Sequence, residues 1–232
     1  MKSLTSGIIK EAREQGRFAL LETEAKDICR EYGIPTTKQR IAKSTIGALK
    51  ISQDIGFPVV LKIVSPDIIH KTEIGGVILD VKNAKEVRES FAKILDNVRK
   101  RKPEASIVGV MVQEAAPKST EVIVGAVKDP NFGPTIMFGL GGTYVEVLED
   151  IVYRVAPITK KEAEDMVKEI KAYPILSGYR GGKADVNAII DILLKVSELV
   201  TDFPEIREID LNPIMVYEKG AKTVDARIIL SK

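Results

Sequence analysis

Strand-like and helix-like segments alternate along the first hundred residues, and this alternation constrains the fold more than any other feature of the sequence. Apolar residues recurring every three to four positions indicate helices, whereas short β-branched runs bounded by Gly or Pro indicate strands. The sequence predicts helices over residues 20–32, 44–55 and 87–98 and strands over residues 36–42, 58–64 and 76–81. We therefore expect an α/β or α+β chain whose N-terminal part forms a small mixed sheet.

The character of the sequence changes beyond Pro103, where strand signals follow one another closely. The sequence predicts strands over residues 107–113, 121–127 and 135–138, helices over residues 160–171 and 186–202, and terminal strands over residues 208–211, 214–217 and 223–229. Ser44 is the expected cap of the helix that ends near Ile55, and Asp185 is the expected cap of the last helix. The change of pattern predicts two domains, residues 1–104 and residues 105–232.

Composition excludes several classes of function. The 35 basic and 33 acidic residues of this 232-residue chain are interleaved and leave a net charge of +2, so a nucleic-acid partner is not expected. No apolar run is long enough to cross a membrane, and the polar N-terminus does not resemble a signal peptide, so we expect a cytoplasmic protein. The single cysteine, Cys29, excludes an internal disulfide and a multi-cysteine metal site.

Lys62 lies within the apolar strand-like run of residues 59–64. A buried ammonium must be paired or must face an anion such as phosphate, whereas on an edge strand the same side chain would simply point to water. Gln113 and Glu114 end another predicted strand at the proposed domain junction, where backbone groups can meet the edge of a purine. On its own this segment is an ordinary strand end.

Glycine-rich segments offer further candidates. Residues 139–143 could bring backbone close to a phosphate, although a turn between strands is the commoner explanation. Neither a Walker loop nor a dinucleotide-binding turn is present in the sequence. Arg180 lies in a glycine-rich segment. It either binds a phosphate or a partner protein, or it simply ends the loop. The basic stretch at residues 99–102 is interpreted as a solvated helix end.

Carboxylates gather near the C-terminus. Strand alternation places Glu208, Asp210 and Asn212 on one face, and a returning strand can bring Asp225 beside them. Oxygen ligands of this kind suit Mg²⁺, which takes few carboxylates and completes its shell with phosphate and water. A solvated edge face is the alternative.

His70 is the only histidine, in a polar segment over residues 65–76 that ends in a pair of glycines. A neutral imidazole is available as a nucleophile at working pH, and a segment of this composition can move. The alternative is an exposed loop histidine with no task.

These features occur in the order found in ATP-grasp enzymes. The whole chain, over residues 10–230, resembles the β subunits of the archaeal ADP-forming acetyl-CoA synthetases, relatives of succinyl-CoA synthetase. The stretches that carry the resemblance are residues 25–35, 59–77, 113–114, 121–142, 178–182 and 210–213.

The resemblance implies an ATP-grasp fold of two subdomains with a nucleotide cleft between them. It implies an acid–CoA ligase subunit that works with a separate CoA-binding α subunit, in an α₂β₂ assembly, to convert acetyl-CoA, ADP and phosphate into acetate, ATP and CoA. In that family a histidine of α takes the phosphoryl group from an acyl phosphate, and the β subunit delivers it to ADP.

The resemblance also implies residue roles. His70 would be a shuttling phosphohistidine, because residues 66–73 replace the basic glycine-rich stretch of succinyl-CoA synthetase β chains. The nucleotide would be held by Lys62, Gln113, Glu114, Glu121, Gly141 and Gly142. Mg²⁺ would be held by Asp210, Asn212 and Asp225.

Two other functions are compatible with the sequence. A stand-alone ATP-grasp ligase that joins a carboxylate to an amine would use the same nucleotide and metal residues but would need no histidine carrier. A non-catalytic assembly subunit would leave His70 incidental.

Overall fold

Most helices and strands form where the sequence predicts them. The computed structural model describes residues 2–68, 70–141, 150–178 and 182–232. Its helices are α1 Ser3–Glu14, α2 Glu22–Glu31, α3 Thr45–Ile55, α4 Ala84–Arg101, α5 Lys160–Glu169, α6 Tyr173–Leu176 and α7 Val186–Asp202. Its strands are β1 Gln39–Ala42, β2 Val59–Val64, β3 Val77–Val81, β4 Gly109–Glu114, β5 Thr120–Asp129, β6 Gly133–Leu140, β7 Ile151–Val155, β8 Ile206–Val216, β9 Ala221–Thr223 and β10 Ala226–Leu230. Gly142 and Arg180 lie outside the described residues.

The chain divides into a smaller unit, residues 37–116, and a larger unit, residues 1–36 with 117–232. This division differs from the expected boundary at residue 104 for two reasons. Strand β4 pairs with both β1 and β2, so it belongs to the smaller sheet. The N-terminal helices belong to the larger unit, where Leu20 N donates to Ile228 O at 3.0 Å and Leu230 N donates to Phe18 O at 2.7 Å.

The smaller unit contains a four-stranded sheet in the order β1-β4-β2-β3. Every described pair in it is antiparallel, so the expected mixed sheet is wrong. Strands β1 and β2 run in the same direction across α3, but β4 inserts between them. Helices α3 and α4 pack on the face that carries Leu61, Ile63 and Val112.

The larger unit contains a sheet in the order β10-β8-β5-β6-β7, with β9 paired to β8. One face packs against helices α5 and α7, and α7 contributes seven buried apolar residues to this core. Burying one Ile or Leu side chain contributes about 1.5–3 kcal/mol, so this helix is a main source of stability. Among the described residues, no helix combines the length and apolar character needed to cross a membrane.

Two predicted helix caps are confirmed. Ser44 Oγ accepts from Gly47 N at 3.1 Å at the start of α3. Asp185 Oδ1 accepts from Ala188 N at 3.1 Å at the start of α7, and its Oδ2 accepts from Gly220 N at 2.7 Å. One carboxylate therefore joins the helix start to the turn between β8 and β9.

Asp185→Ala should destabilise the protein by about 1–2 kcal/mol, because it removes a helix cap. The bond from Gly220 N is the first cause that lowers the pKa of the Asp185 carboxyl. A lowered pKa means that the stabilisation is present above the unfolded pKa of about 3.9 and is lost as the pH falls through the folded value. Urea unfolding of wild type and Asp185→Ala at pH 7 measures the loss of stability, and the same experiment at pH 3 measures how far the difference between them shrinks.

The matched control is Asp191→Ala, since this exposed aspartate lies on the same helix. Its change should stay within about 0.5 kcal/mol. Equal losses for the two variants would contradict the assigned role of Asp185.

Candidate active site

Lys62 is a buried lysine in the interior of the smaller sheet. It is 6% exposed and lies on β2, opposite Val77 of β3 and Met111 of β4. The edge-strand alternative is therefore wrong. Side chains alternate along a strand, so Lys62 lies on the face opposite Leu61 and Ile63 and away from α3 and α4. A buried ammonium at this position favours an anionic ligand.

Gln113 shares that face with Lys62. It is 1% exposed and lies opposite Val60 of β2, two residues from Lys62 along the strand. Diagonal neighbours of this kind lie about 7–8 Å apart, within reach of one bound group. Glu114, in contrast, holds the chain before β1: its Oε2 accepts from Lys38 N at 3.1 Å, and its N donates to Lys38 O at 2.9 Å.

Glu121 and Gly141 are neighbours in the larger unit. Gly141 N donates to Glu121 O at 2.7 Å. A Cβ at position 141 would lie 3.0 Å from the carbonyl carbon of Glu121, so close backbone packing favours glycine there. This preference for glycine at position 141 has a structural explanation independent of phosphate.

The C-terminal polar residues meet on one face of the larger sheet. Asp210 of β8 lies opposite Gly125 of β5 and Arg227 of β10, on the face away from the buried Ile209 and Leu211. A register shift between β5 and β8 inserts one extra residue into β8 at Asn212–Pro213.

That bulge also positions Asp225. Val224 N donates to Pro213 O at 2.9 Å, which fixes Asp225 beside the bulge. Asp225 is also close enough to Asp210 to raise the pKa of the Asp210 carboxyl, whereas a shared site that includes Asn212 stays a prediction.

The electrostatics at Asp210 are unfavourable without a further cation. Burial is the largest influence and raises the pKa of its carboxyl; Arg227 opposes this, while Glu208 and Asp225 add to it. Arg227 is already paired with Glu208. Asp210 Oδ1 is buried and has no hydrogen-bond partner within the described ranges. An orphaned carboxylate oxygen beside another carboxylate fits a bound cation.

A metal cage made only of protein is not found. The described part of the chain contains no group of three or more His, Cys, Asp or Glu residues that could hold a metal ion. Two carboxylates and an amide instead suit a metal that keeps water and phosphate oxygens as ligands.

His70 is presented to solvent. Its side chain is 74% exposed, and Nδ1 lies 3.6 Å from Glu73 Oε1. Ile68, two residues earlier, is buried in the core of the smaller unit. Asp67 Oδ2 accepts from Ser106 N at 2.7 Å. The N-terminal side of the segment is therefore anchored.

The C-terminal side of the segment is anchored on α4. Arg101 Nη1 donates to Glu73 O at 2.6 Å, and Asn97 Nδ2 donates to Gly75 O at 2.9 Å. A Cβ at Gly75, where φ is +67°, would lie 2.6 Å from Asn97 Nδ2, and one at Gly76 would lie 2.6 Å from an Ile63 methyl group. In this conformation the glycine pair serves close packing.

Sequence reasoning missed these supporting residues. Arg101 lies in the basic stretch interpreted as a solvated helix end, yet it binds the His70 segment. Only the spacing of Glu73, three residues after His70, could have signalled a contact from sequence. Nothing local identifies Asn97 or Arg101, because they lie 22 and 28 residues from their partners.

The comparisons with known proteins agree with this arrangement. The ATP-grasp domain family matches residues 11–230. The β subunit of acetate–CoA ligase [ADP-forming] I from Pyrococcus furiosus is 52% identical over 224 residues, covering 96% of each chain. The chain belongs to this family of β subunits. The family and the ATP-grasp fold that the resemblance implied are thus confirmed.

Some members of the family are parts of longer chains. Acetate–CoA ligase [ADP-forming] I from Archaeoglobus fulgidus is 48% identical over 226 residues, which cover 97% of this chain but 33% of that protein.

Solved structures of another relative show two states. The acetyl-coenzyme A synthetase 1 of Ca. Korarchaeum cryptofilum, with coenzyme A, acetyl-coenzyme A and a phosphorylated phosphohistidine segment in a "site I orientation", matches with a TM-score of 0.92 and 46% identity, covering 98% of this chain and 100% of that chain. The same protein with coenzyme A and Mg-AMPPCP, its phosphohistidine segment pointing towards the nucleotide binding site, matches with a TM-score of 0.88, 45% identity and the same coverage.

Asp210→Asn should stabilise the cation-free β subunit by roughly 1 kcal/mol at pH 7, because it removes a buried, poorly partnered charge. A carboxyl with a raised folded pKa loses stability as the pH rises from its unfolded value, about 3.9, through the folded value. The gain should therefore vanish near pH 3, where both states are protonated. Urea unfolding with EDTA at the two pH values measures the difference.

Asp191→Asn is the control, since Asp191 is exposed, and it should change stability by less than about 0.5 kcal/mol. A clear loss of stability in Asp210→Asn at pH 7 would show that Asp210 is satisfied without a cation.

Proposed function

We propose that this chain is the nucleotide-binding β subunit of an ADP-forming acetyl-CoA synthetase. With a separate CoA-binding α subunit it would convert acetyl-CoA, ADP and phosphate into acetate, ATP and CoA. The observation that carries the proposal is the exposed His70 on an anchored segment. His70 is the only histidine, so a phosphohistidine in this chain can be no other residue.

His70 acts as a nucleophile in this proposal. A neutral ring nitrogen takes the phosphoryl group at the α subunit and passes it to ADP bound by the β subunit. Transfer of this kind needs in-line positioning and neutralisation of the charge on the phosphoryl oxygens, with little other chemistry from the protein. Because the His70 side chain is 74% exposed, both the phosphoryl donor at the α subunit and the acceptor ADP can approach it.

Six residues are proposed to hold the nucleotide. Lys62 supplies a positive charge on an inner strand, where burial strengthens its attraction for phosphate. Gln113 and Glu114 supply polar groups at the end of β4, and Glu121, Gly141 and Gly142 are the other proposed nucleotide-binding residues. The carboxylate of Glu114 already fixes Lys38 N, so its role includes holding the chain at β1.

Asp210, Asn212 and Asp225 are proposed to hold Mg²⁺. The orphaned oxygen of Asp210 and the nearby charge of Asp225 support this proposal. The metal would neutralise phosphate charge during transfer. Asn212 lies in the bulge of β8, two residues after Asp210.

The contacts of the His70 segment limit its reach. Gly76 N donates to Lys71 O at 2.8 Å, which closes the turn after His70, while Ile68 is buried before it. The three residue steps from 68 to 71 span at most about 11 Å. Any longer displacement of His70 must release the contacts with Asn97 and Arg101 or move the whole unit.

His70→Ala, assembled with the α subunit, should lose acetyl-CoA-dependent ATP formation by at least about 10³-fold, since the nucleophile is absent. Release of acetate from acetyl-CoA at the α subunit, limited to one turnover, should remain. Mass spectrometry of the wild-type assembly after incubation with acetyl-CoA and phosphate should find acid-labile phosphate on His70.

Full ATP formation by His70→Ala would overturn the carrier role. It would favour direct transfer to ADP. Absence of any thermal shift of the wild-type chain with ATP and Mg²⁺ would instead favour a non-catalytic assembly subunit. An ATP-dependent carboxylate–amine ligation that survives in His70→Ala without α would favour the stand-alone ligase.

Asp225→Asn should lose the Mg²⁺-dependent part of the stabilisation by ADP. A ligand at 100 times its Kd stabilises the folded state by about 2.7 kcal/mol, which a thermal shift resolves. Wild type should show a larger shift with ADP and Mg²⁺ than with ADP and EDTA, whereas Asp225→Asn should show the same smaller shift in both.

Asp191→Asn, remote from β8 in the sequence and exposed, should behave as wild type. A wild-type response to Mg²⁺ in Asp225→Asn would remove this residue from the metal site.

A further inference from the structure

The side chain of Glu73 faces one particular nitrogen of His70. Its Oε1 lies 3.6 Å from Nδ1, which is ion-pair distance and close enough for a small rotation to form a hydrogen bond. Both side chains are largely exposed, at 74% and 76%. Exposed pairs contribute little to stability, about 0–1 kcal/mol. The consequence of this contact therefore concerns the imidazole ring, not the fold.

The backbone of Glu73 is held firmly beneath that contact. Arg101 Nη1 donates to its carbonyl oxygen at 2.6 Å. The turn around it is closed by Gly75 N donating to Thr72 O at 3.0 Å and by Gly76 N donating to Lys71 O. Glu73 is therefore presented by an ordered turn, three residues after His70.

A neutral imidazole carries its proton on one nitrogen and a lone pair on the other, and the partner of one nitrogen decides which is which. In water a free histidine side chain favours the proton on Nε2. A carboxylate at Nδ1 accepts only from N–H, so it favours the opposite tautomer. We propose that Glu73 is a positioning residue that keeps the proton on Nδ1 and leaves Nε2 as the nucleophile.

This proposal rests on the proposed carrier role of His70. The Nε2 lone pair forms the new N–P bond, while the P–N bond to the phosphorylated histidine of the α subunit breaks with its electron pair on that nitrogen; from ATP, the P–O bond to ADP breaks with its electron pair on oxygen. The Nδ1 proton stays on the ring, which becomes positively charged. Glu73 neutralises that charge, and the reverse transfer to ADP restores the neutral ring.

Glu73 belongs to the turn that begins one residue after His70, and backbone bonds from Gly75 N to Thr72 O and from Gly76 N to Lys71 O close that turn. A displacement of the turn as a unit breaks the contacts with Asn97 and Arg101 but keeps Glu73 beside His70. The same nitrogen would then react both with the phosphorylated histidine of the α subunit and with the nucleotide. An electrostatic partner also gains strength when the pair leaves water.

The single histidine makes a direct test possible, provided that the protein carries no histidine tag. Long-range ¹⁵N–¹H spectra of the full chain at mildly alkaline pH report the tautomer of one ring only. Wild type should show predominantly Nδ1–H. Glu73→Ala should shift towards Nε2–H, and Glu73→Gln, whose amide oxygen still accepts, should stay close to wild type.

Glu89→Ala is the matched control, an exposed glutamate on α4 paired with Lys85, and it should leave the tautomer unchanged. Identical tautomer populations in wild type and Glu73→Ala would overturn the proposal. This measurement needs neither nucleotide nor the α subunit, so its failure is separable from failure of the carrier role.

The second readout is the phosphorylated ring. With α and Mg-ATP, wild type should give the Nε2 isomer by ³¹P NMR. Glu73→Ala should be phosphorylated about tenfold more slowly, because the reactive tautomer and the positive charge of the phosphorylated ring both lose their partner, and it should yield some Nδ1 isomer. A wild-type rate with only the Nε2 isomer would contradict the role of Glu73. Absence of phosphate on wild-type His70 would instead contradict the proposed function.

Discussion

The packing of one face of each sheet against helices is the constraint on which the rest of the structure depends. Because side chains alternate along a strand, burying Leu61 and Ile63 under helices commits Lys62 to the opposite face. The same rule in β8 places Ile209 in the core and Asp210 on the other face. The residues of the candidate site are thus positioned by the core residues beside them.

The site residues are also the places where the chain gives up stability. Lys62 is buried in a strand otherwise composed of aliphatic residues, and Asp210 has a buried oxygen that no described group satisfies. A buried carboxylate oxygen without a partner costs free energy unless an ion or ligand completes it, and a buried ammonium costs free energy unless it is paired. Violations of packing rules are expected at functional sites, and here they occur where the resemblance assigns nucleotide and metal.

The His70 segment combines an exposed side chain with an anchored backbone. Its sequence suggests a freely moving polar loop, but Ile68 is buried and the following turn is bonded to α4 at two points. Ordering the backbone lowers the entropy that is lost when the imidazole is presented to a phosphoryl donor. The presentation of the imidazole therefore depends on the backbone anchors of the segment, and any movement of the segment depends on release of its two bonds to α4.

Local sequence signals determined much of this protein: the positions of most helices and strands, the caps Ser44 and Asp185, and the identity of the one histidine. These follow from short-range periodicity and hydrogen bonding. The similarity of the sequence to a known family identified the family and the ATP-grasp fold. Tertiary structure alone decided that β4 lies between β1 and β2, that β8 continues through the bulge at Asn212, and that Arg101 holds the turn of Glu73. Strand order and contacts between distant residues depend on the packing of the whole chain, which no local pattern encodes.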